Sequence, residues 1–120
     1  MMGTRIQASE DMTLEIREEG GATIVSARGE VTVFSSPALR ETLRKITDGR
    51  PARLVLDLAE TRYIDSSGVA TLVEALQTIQ RYKGRLVLTG MNQRVRGVFE
   101  IARLDSIFPI AGSIQEALKA

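Results

Sequence analysis

Two stretches constrain this chain more than any others: R-L-V-L-D-L at residues 53–58 and R-L-V-L-T at residues 85–89. Neighbouring side chains on a strand point to opposite faces, so a run apolar at successive positions must be covered on both sides. Only Asp57 interrupts the first run. Between the two lies a helical pattern, with Val69, Leu72, Val73, Leu76 and Ile79 on one face and Thr71, Glu74, Thr78 and Arg81 on the other. Buried strand, amphipathic helix and buried strand together predict a βαβ crossover and hence parallel pairing.

The rest of the chain extends this pattern. Residues 13–18 alternate, with Leu14 and Ile16 on one side, and Gly20-Gly21 marks a hairpin into a second strand at residues 22–28, which Gly29 ends. Ser36-Pro37 reads as an N-cap followed by proline at the first helical position. Leu39, Leu43 and Ile46 then recur at helical spacing, and Gly49 and Pro51 stop the helix. Gly84 reads as the C-terminal cap of the next helix. Val95, Val98, Phe99 and Ala102, with Asn92 as cap, give a third helix. A short strand is expected around Ile107 and Phe108, and the capping-box spacing of Ser113 and Glu116 opens a last helix. Residues 1–11 lack periodicity and are expected to be a flexible N-terminus. Residues 12–120 are then one α/β domain, a mixed, mostly parallel sheet with flanking helices in the order β-β-α-β-α-β-α-β-α. In such a sheet the loops at residues 29–36, 59–66 and 89–93 all emerge at one edge, where open α/β sheets place their binding sites.

Composition narrows the chemistry. The 120 residues contain no histidine and no cysteine. That excludes a serine–histidine–aspartate triad, thiolate chemistry and histidine or cysteine metal sites. No cofactor motif is present, including the glycine-rich phosphate loop. The charge balance is nearly even, 16 basic against 15 acidic residues, without a basic stripe, which argues against direct nucleic-acid binding. No apolar run approaches the length of a membrane span, and the first residues lack the apolar core of a signal peptide. The expected location is the cytoplasm.

The segment Y-I-D-S-S-G at residues 63–68 lies on the predicted binding edge, immediately before a helix. Asp65 or Ser66 can cap that helix through a side-chain oxygen. A nucleophile elbow requires glycine two residues to either side of serine. Ser66 follows Ile64 by two, and Ser67 lies between Asp65 and Val69, so neither fits. A serine at a helix N-terminus can also carry a phosphate, because free N–H groups and the helix dipole favour an anion there. Gly68 leaves room for a close approach, either by another molecule or by the domain's own sheet. Phe34 is open to the same two readings, apolar contact or burial against the sheet. Ser35 and Ser36 read as helix-start residues, and Arg94, Arg96 and Arg103 as a solvated helix face.

These motifs together resemble the STAS domain family (sulfate transporter and anti-sigma-factor antagonist), and most closely its stand-alone anti-sigma-factor antagonists. The resemblance covers the chain from about Met12 onward. It rests on the early hairpin, Gly29-Glu30, the L-V-L-D-L strand, D-S-S-G with its helix, and the K-G-R-L-V-L turn and strand. It implies an antagonist, not an enzyme. Its partner would be an anti-sigma factor that is also a serine protein kinase, and a phosphatase would reset it. The hydroxyl after the aspartate, Ser66 here, would accept the phosphate. Asp65, Ser67, Gly68 and Val69 would contribute to docking, as would Glu30, Thr32 and Phe34 from the neighbouring loop. The family pattern has aspartate where Thr32 stands. The resemblance also admits a STAS scaffold or accessory subunit of a stress-sensing or membrane transport complex, without a phosphorylation cycle.

Overall fold

Residues 54–56 are buried on both faces, as their sequence requires. A computed structural model of the protein describes residues 3–119. Its strands are β1 (Thr4–Ser9), β2 (Met12–Glu19), β3 (Ala22–Val31), β4 (Arg53–Asp57), β5 (Thr61–Ile64), β6 (Arg85–Thr89) and β7 (Ile110–Ala111). Its helices are α1 (Ser36–Asp48), α2 (Ser66–Arg81), α3 (Gln93–Ile101) and α4 (Ile114–Lys119). The sheet order is β1-β2-β3-β4-β6-β7, with β5 lying against β3. β1–β2 and β2–β3 pair antiparallel, and all other pairs are parallel.

The sheet divides its apolar side chains between two layers. Leu54, Leu56, Leu86 and Leu88 point into the main core with Leu39 and Leu43 of α1, Leu72 and Ile79 of α2, and Phe99 of α3. Val55, Val87 and Ile24, alternating with them, pack against Ala117 of α4. The period-two alternation of strands thus explains why these runs must be apolar throughout.

β3 positions the functional edge. Its first half, Thr23 to Ser26, pairs with β4, and its end, Gly29 to Val31, pairs with β5. The register shifts between Gly29 and Glu30. Gly29 has φ 108°, and a Cβ there would stand 1.8 Å from the Asp11 carbonyl oxygen. Only glycine can make this bend, which carries the strand end away from β4 and brings β5 in beside it.

Several expectations need correction. The order is β-β-β-α-β-β-α-β-α-β-α, with two strands more than the sequence pattern gives. Residues 4–9, expected to be flexible, form β1 against β2. As an edge strand β1 is largely exposed and buries no residue fully, so its periodicity is faint. β5 is four residues long and sits directly before α2, where it reads as a loop. The last strand lies at Ile110–Ala111, while Phe108 enters the core edge-on to Phe99 at 5.5 Å. The N-cap of α1 is Ser35, one residue earlier than expected. After α2 the left-handed residue is Lys83 (φ 65°), not Gly84. Gly84 is demanded by space: a Cβ would lie 2.6 Å from the Tyr82 ring and 2.7 Å from Ile79. The Asn92 cap forms as expected at 2.8 Å; of the capping box, the Glu116 N–H donates to Ser113 Oγ at 3.1 Å, while the Glu116 carboxylate accepts the Gly112 N–H at 2.9 Å and not that of Ser113.

Candidate functional site

The N-terminus of α2 and the loop between β3 and α1 meet at the C-terminal edge of the sheet. Asp65 caps α2 from an extended conformation. Its Oδ1 accepts hydrogen bonds from the Ser67 N–H (2.9 Å), the Gly68 N–H (3.1 Å) and the Ser67 hydroxyl (2.5 Å). Its Oδ2 accepts from the Val33 N–H at 3.1 Å, on the neighbouring loop. Its own N–H donates to the Val31 carbonyl at 3.0 Å. Partial burial pushes the Asp65 carboxyl up. The donations from the Ser67 hydroxyl and the Gly68, Val33 and Ser67 N–H groups outweigh it and hold the pKa below its ordinary value.

The two serines beside Asp65 have different tasks. Ser67 is half-buried and faces Ser36, the first residue of α1, with the two hydroxyl oxygens 3.0 Å apart. Ser36 also donates to the Thr32 carbonyl at 2.6 Å. Two hydroxyl hydrogens therefore serve three oxygen–oxygen contacts that run from Asp65 to Thr32. Ser66 is exposed in the first turn of α2, and its hydroxyl bonds to no other group among the described residues.

The neighbouring loop is held by its own short-range bonds. The Thr32 N–H donates to Ser35 Oγ (2.9 Å), and that hydroxyl donates to the Glu30 carbonyl (2.9 Å). The Phe34 N–H donates to Thr32 Oγ1 at 3.2 Å. This is an ST turn, in which threonine takes the local role of an aspartate without bringing a carboxylate. At the tip, Val33 is 60% exposed and Phe34 85% exposed. The burial reading of Phe34 is therefore overturned. Two adjacent apolar side chains project into water from a loop tied to Asp65.

Of the residues expected at the site, Asp65, Ser66, Ser67, Thr32 and Phe34 come together at this edge. Gly68 and Val69 do not reach its surface. Gly68 is buried, and a Cβ there would lie 2.7 Å from both Ile64 Cγ1 and Val31 Cγ1. Val69 belongs to the core. Both support the site from beneath, and neither offers a side chain for docking. Glu30 ends up part-exposed, 3.8 Å from Arg62, a pairing of little energetic weight. Sequence reasoning missed Val33, although two apolar residues in a loop are themselves a signal. It also missed the stacking of the Arg94 guanidinium over Tyr63 at 4.9 Å, which anchors the start of α3 to β5 and has no sequence signature.

The fold and the edge define a small α/β domain whose exposed apolar tip and free hydroxyl share one end of the sheet. The STAS domain family model matches residues 13–117, and the chain belongs to that family. BtrV of Bordetella bronchiseptica is 33% identical over 109 residues, covering 91% of this chain and 94% of its own length. The anti-sigma-B factor antagonist of Listeria monocytogenes is 30% identical over 101 residues, covering 83% of this chain and 89% of its own. The crystal structure of an anti-sigma factor antagonist from Mycobacterium paratuberculosis has the same fold. It superimposes with a TM-score of 0.85 at 23% identity, over 95% of this chain and 97% of that one.

Proposed function

We propose that this chain is an anti-sigma-factor antagonist that works in the cytoplasm, with no catalytic activity of its own. It binds an anti-sigma factor that is also a serine kinase, and phosphorylation of Ser66 switches it off. A phosphatase reverses the modification. The observation that carries this reading is the contrast between the two serines: Ser67 is engaged with Asp65 and Ser36, whereas Ser66 is exposed and unbonded at a helix N-terminus. The name of the Listeria relative supports the antagonist role. Val33 and Phe34 supply the apolar contact. A phosphate on Ser66 adds about −1.5 to −2 charges at the same edge, and the dipole of α2 and the surrounding water tolerate it in the free protein. In a complex the same charge must be desolvated. A cost of only ~3 kcal/mol there lowers affinity roughly a hundredfold.

Incubation with the cognate kinase and ATP, followed by mass spectrometry, should place the phosphate on Ser66. Ser66→Ala should bind and escape phosphorylation, and Ser66→Asp should bind weakly. A phosphate found only elsewhere, or full binding by Ser66→Asp, would sink the reading. Thr32 favours a second one, a STAS scaffold or transport-accessory module without a phosphorylation cycle, because its turn brings no carboxylate to the edge. Under that reading Ser66→Asp leaves partner binding intact.

A further inference from the structure

Most cations near the start of α2 are already paired. On the α1 side, Arg40 and Arg44 hold Glu74 at 2.9 and 2.6 Å. On the other side, Arg62 lies 3.8 Å from Glu30, and Arg96 lies 3.8 Å from Glu100. Arg94 differs. It is exposed, and among the described residues it pairs with no carboxylate. Its guanidinium rests on the Tyr63 ring, 4.9 Å from the centroid, a contact that is weak where the cation stays in water.

The fold sets this cation close to Ser66. α1, α2 and α3 all pack on the main-core face, and the connections they carry advance along the sheet from β3 to β7, so α2 lies between α1 and α3. Ser67 and Glu74 mark the flank of α2 that faces α1. Gly68 lies about a quarter-turn from Ser67 toward the sheet, and Ser66 about a quarter-turn the other way, out into water. Tyr63 precedes Ser66 by three residues, a separation of at most about 10 Å even in fully extended chain. A turn of the Arg94 side chain off the Tyr63 ring brings its guanidinium to that exposed position. We propose that Arg94 is the internal counter-ion of a phosphate on Ser66, leaving Tyr63 to donate two parallel N–H bonds to the phosphate oxygens. The inference rests on the proposed Ser66 switch and deepens it: the pairing favours the doubly charged phosphate at neutral pH, so the off state carries its full charge.

The test uses the full chain with phosphoserine genetically encoded in place of Ser66, titrated by phosphorus NMR. The second pKa of the phosphate should lie about half a unit lower in wild type than in Arg94→Gln, roughly a threefold difference in proton affinity. The difference should shrink in high salt. Arg94→Lys should keep part of it, since lysine keeps the charge and loses the fork. Tyr63→Leu, which removes the stack and spares the cation, should keep it in full. Asp65, the Glu30–Arg62 pair, the Arg96–Glu100 pair and the dipole of α2 also act at this edge, but none of them is altered in Arg94→Gln, so the comparison isolates Arg94. Circular dichroism melts check that each variant folds. Equal pKa values in wild type and Arg94→Gln, or a Tyr63→Leu protein that titrates like Arg94→Gln, overturn the proposal. The encoded phosphoserine needs no kinase, so a kinase that leaves Ser66 unmodified would count against the switch and not against the pairing.

Discussion

Gly68 and Gly97 both sit in helices, and replacing each by alanine should move stability in opposite directions. Alanine in place of glycine favours a helix by about 1 kcal/mol. Gly97 has nothing within 4 Å of the position a Cβ would take, so Gly97→Ala should return most of that gain, roughly 0.5–1 kcal/mol. At Gly68 the new methyl would lie 2.7 Å from Ile64 Cγ1, 2.7 Å from Val31 Cγ1 and 3.1 Å from the Val31 carbonyl oxygen. Carbon–carbon contacts are optimal at about 3.5–4.0 Å. Ile64 and Val31 are buried to 0% and 1% exposure, so neither wall can step aside into solvent. Such overpacking costs about 1–3 kcal/mol, and the third contact puts this site in the upper half of that range. After the helix gain is subtracted, Gly68→Ala should lose about 1–2 kcal/mol, or roughly 4–8 °C in Tm. Urea denaturation of the two variants beside wild type measures the difference. A Gly68→Ala protein as stable as wild type would refute the close approach of α2 to β3, and with it the support assigned to the serine turn.

Asp65→Ala removes the cap and the link to the next loop, and should cost about 1–2 kcal/mol at neutral pH by urea denaturation. The folded-state pKa of Asp65 lies below its unfolded value, so its stabilisation is complete above that unfolded value and is lost as pH falls through the folded one. The gap between wild type and Asp65→Ala should therefore narrow as acid titrations proceed below about pH 4. Lys83→Gly relieves a side chain held at φ 65° and should gain about 1 kcal/mol in the same assay. Glu74→Gln weakens the bridges to Arg44 (2.6 Å) and Arg40 (2.9 Å) that tie α2 to α1. These are part-exposed, so the loss should stay under about 1 kcal/mol and shrink in high salt. Phe34→Ala should leave Tm unchanged within error, since Phe34 is 85% exposed, while weakening partner binding in a pull-down.

The parts of the fold legible in the sequence are those whose burial demands an unbroken pattern. β4 and β6 must be apolar on both faces, and α2 must carry one apolar stripe; together these fix the crossover and the edge at which its loops emerge. β1 and β5 escaped because their positions depend on other strands. β5 is placed by the bend at Gly29 and by Thr61, whose buried hydroxyl donates to the Ala27 carbonyl at 2.8 Å. No local period records either fact. At the site, residue types and spacing called for a cap but left Asp65 and Ser66 both open, and only the resemblance to the STAS family singled out Ser66. The burial of Gly68 and Val69 could not be read there, since it reflects how closely α2 approaches β3. The exposure of Phe34 was equally hidden, because it depends on the turn that Thr32 closes.

The distinction between Ser66 and Ser67 follows from counting donors and acceptors, without appeal to either serine's reactivity. A phosphate on Ser67 would have to displace the hydroxyl that Asp65 accepts at 2.5 Å and would confront both that carboxylate and Ser36 Oγ at 3.0 Å. Like charges at hydrogen-bonding distance are destabilising, and the adjoining space is half-buried. On Ser66 the same group gives up no hydrogen bond and stays in water. Asp65 thus acts on both residues at once. By taking up the Ser67 hydroxyl and the first N–H groups of α2, it leaves Ser66 as the hydroxyl of the pair without a hydrogen bond among the described residues. By accepting the Val33 N–H, it ties the loop that carries the apolar tip to the residue preceding that hydroxyl. An Asp65→Asn side chain can keep an oxygen toward Ser67 and Gly68 only by turning its amide nitrogen toward the Val33 N–H, donor against donor. That variant should retain most of the cap while loosening residues 32–35, so hydrogen exchange should rise at Val33 and Phe34 and stay slow through the core of α2.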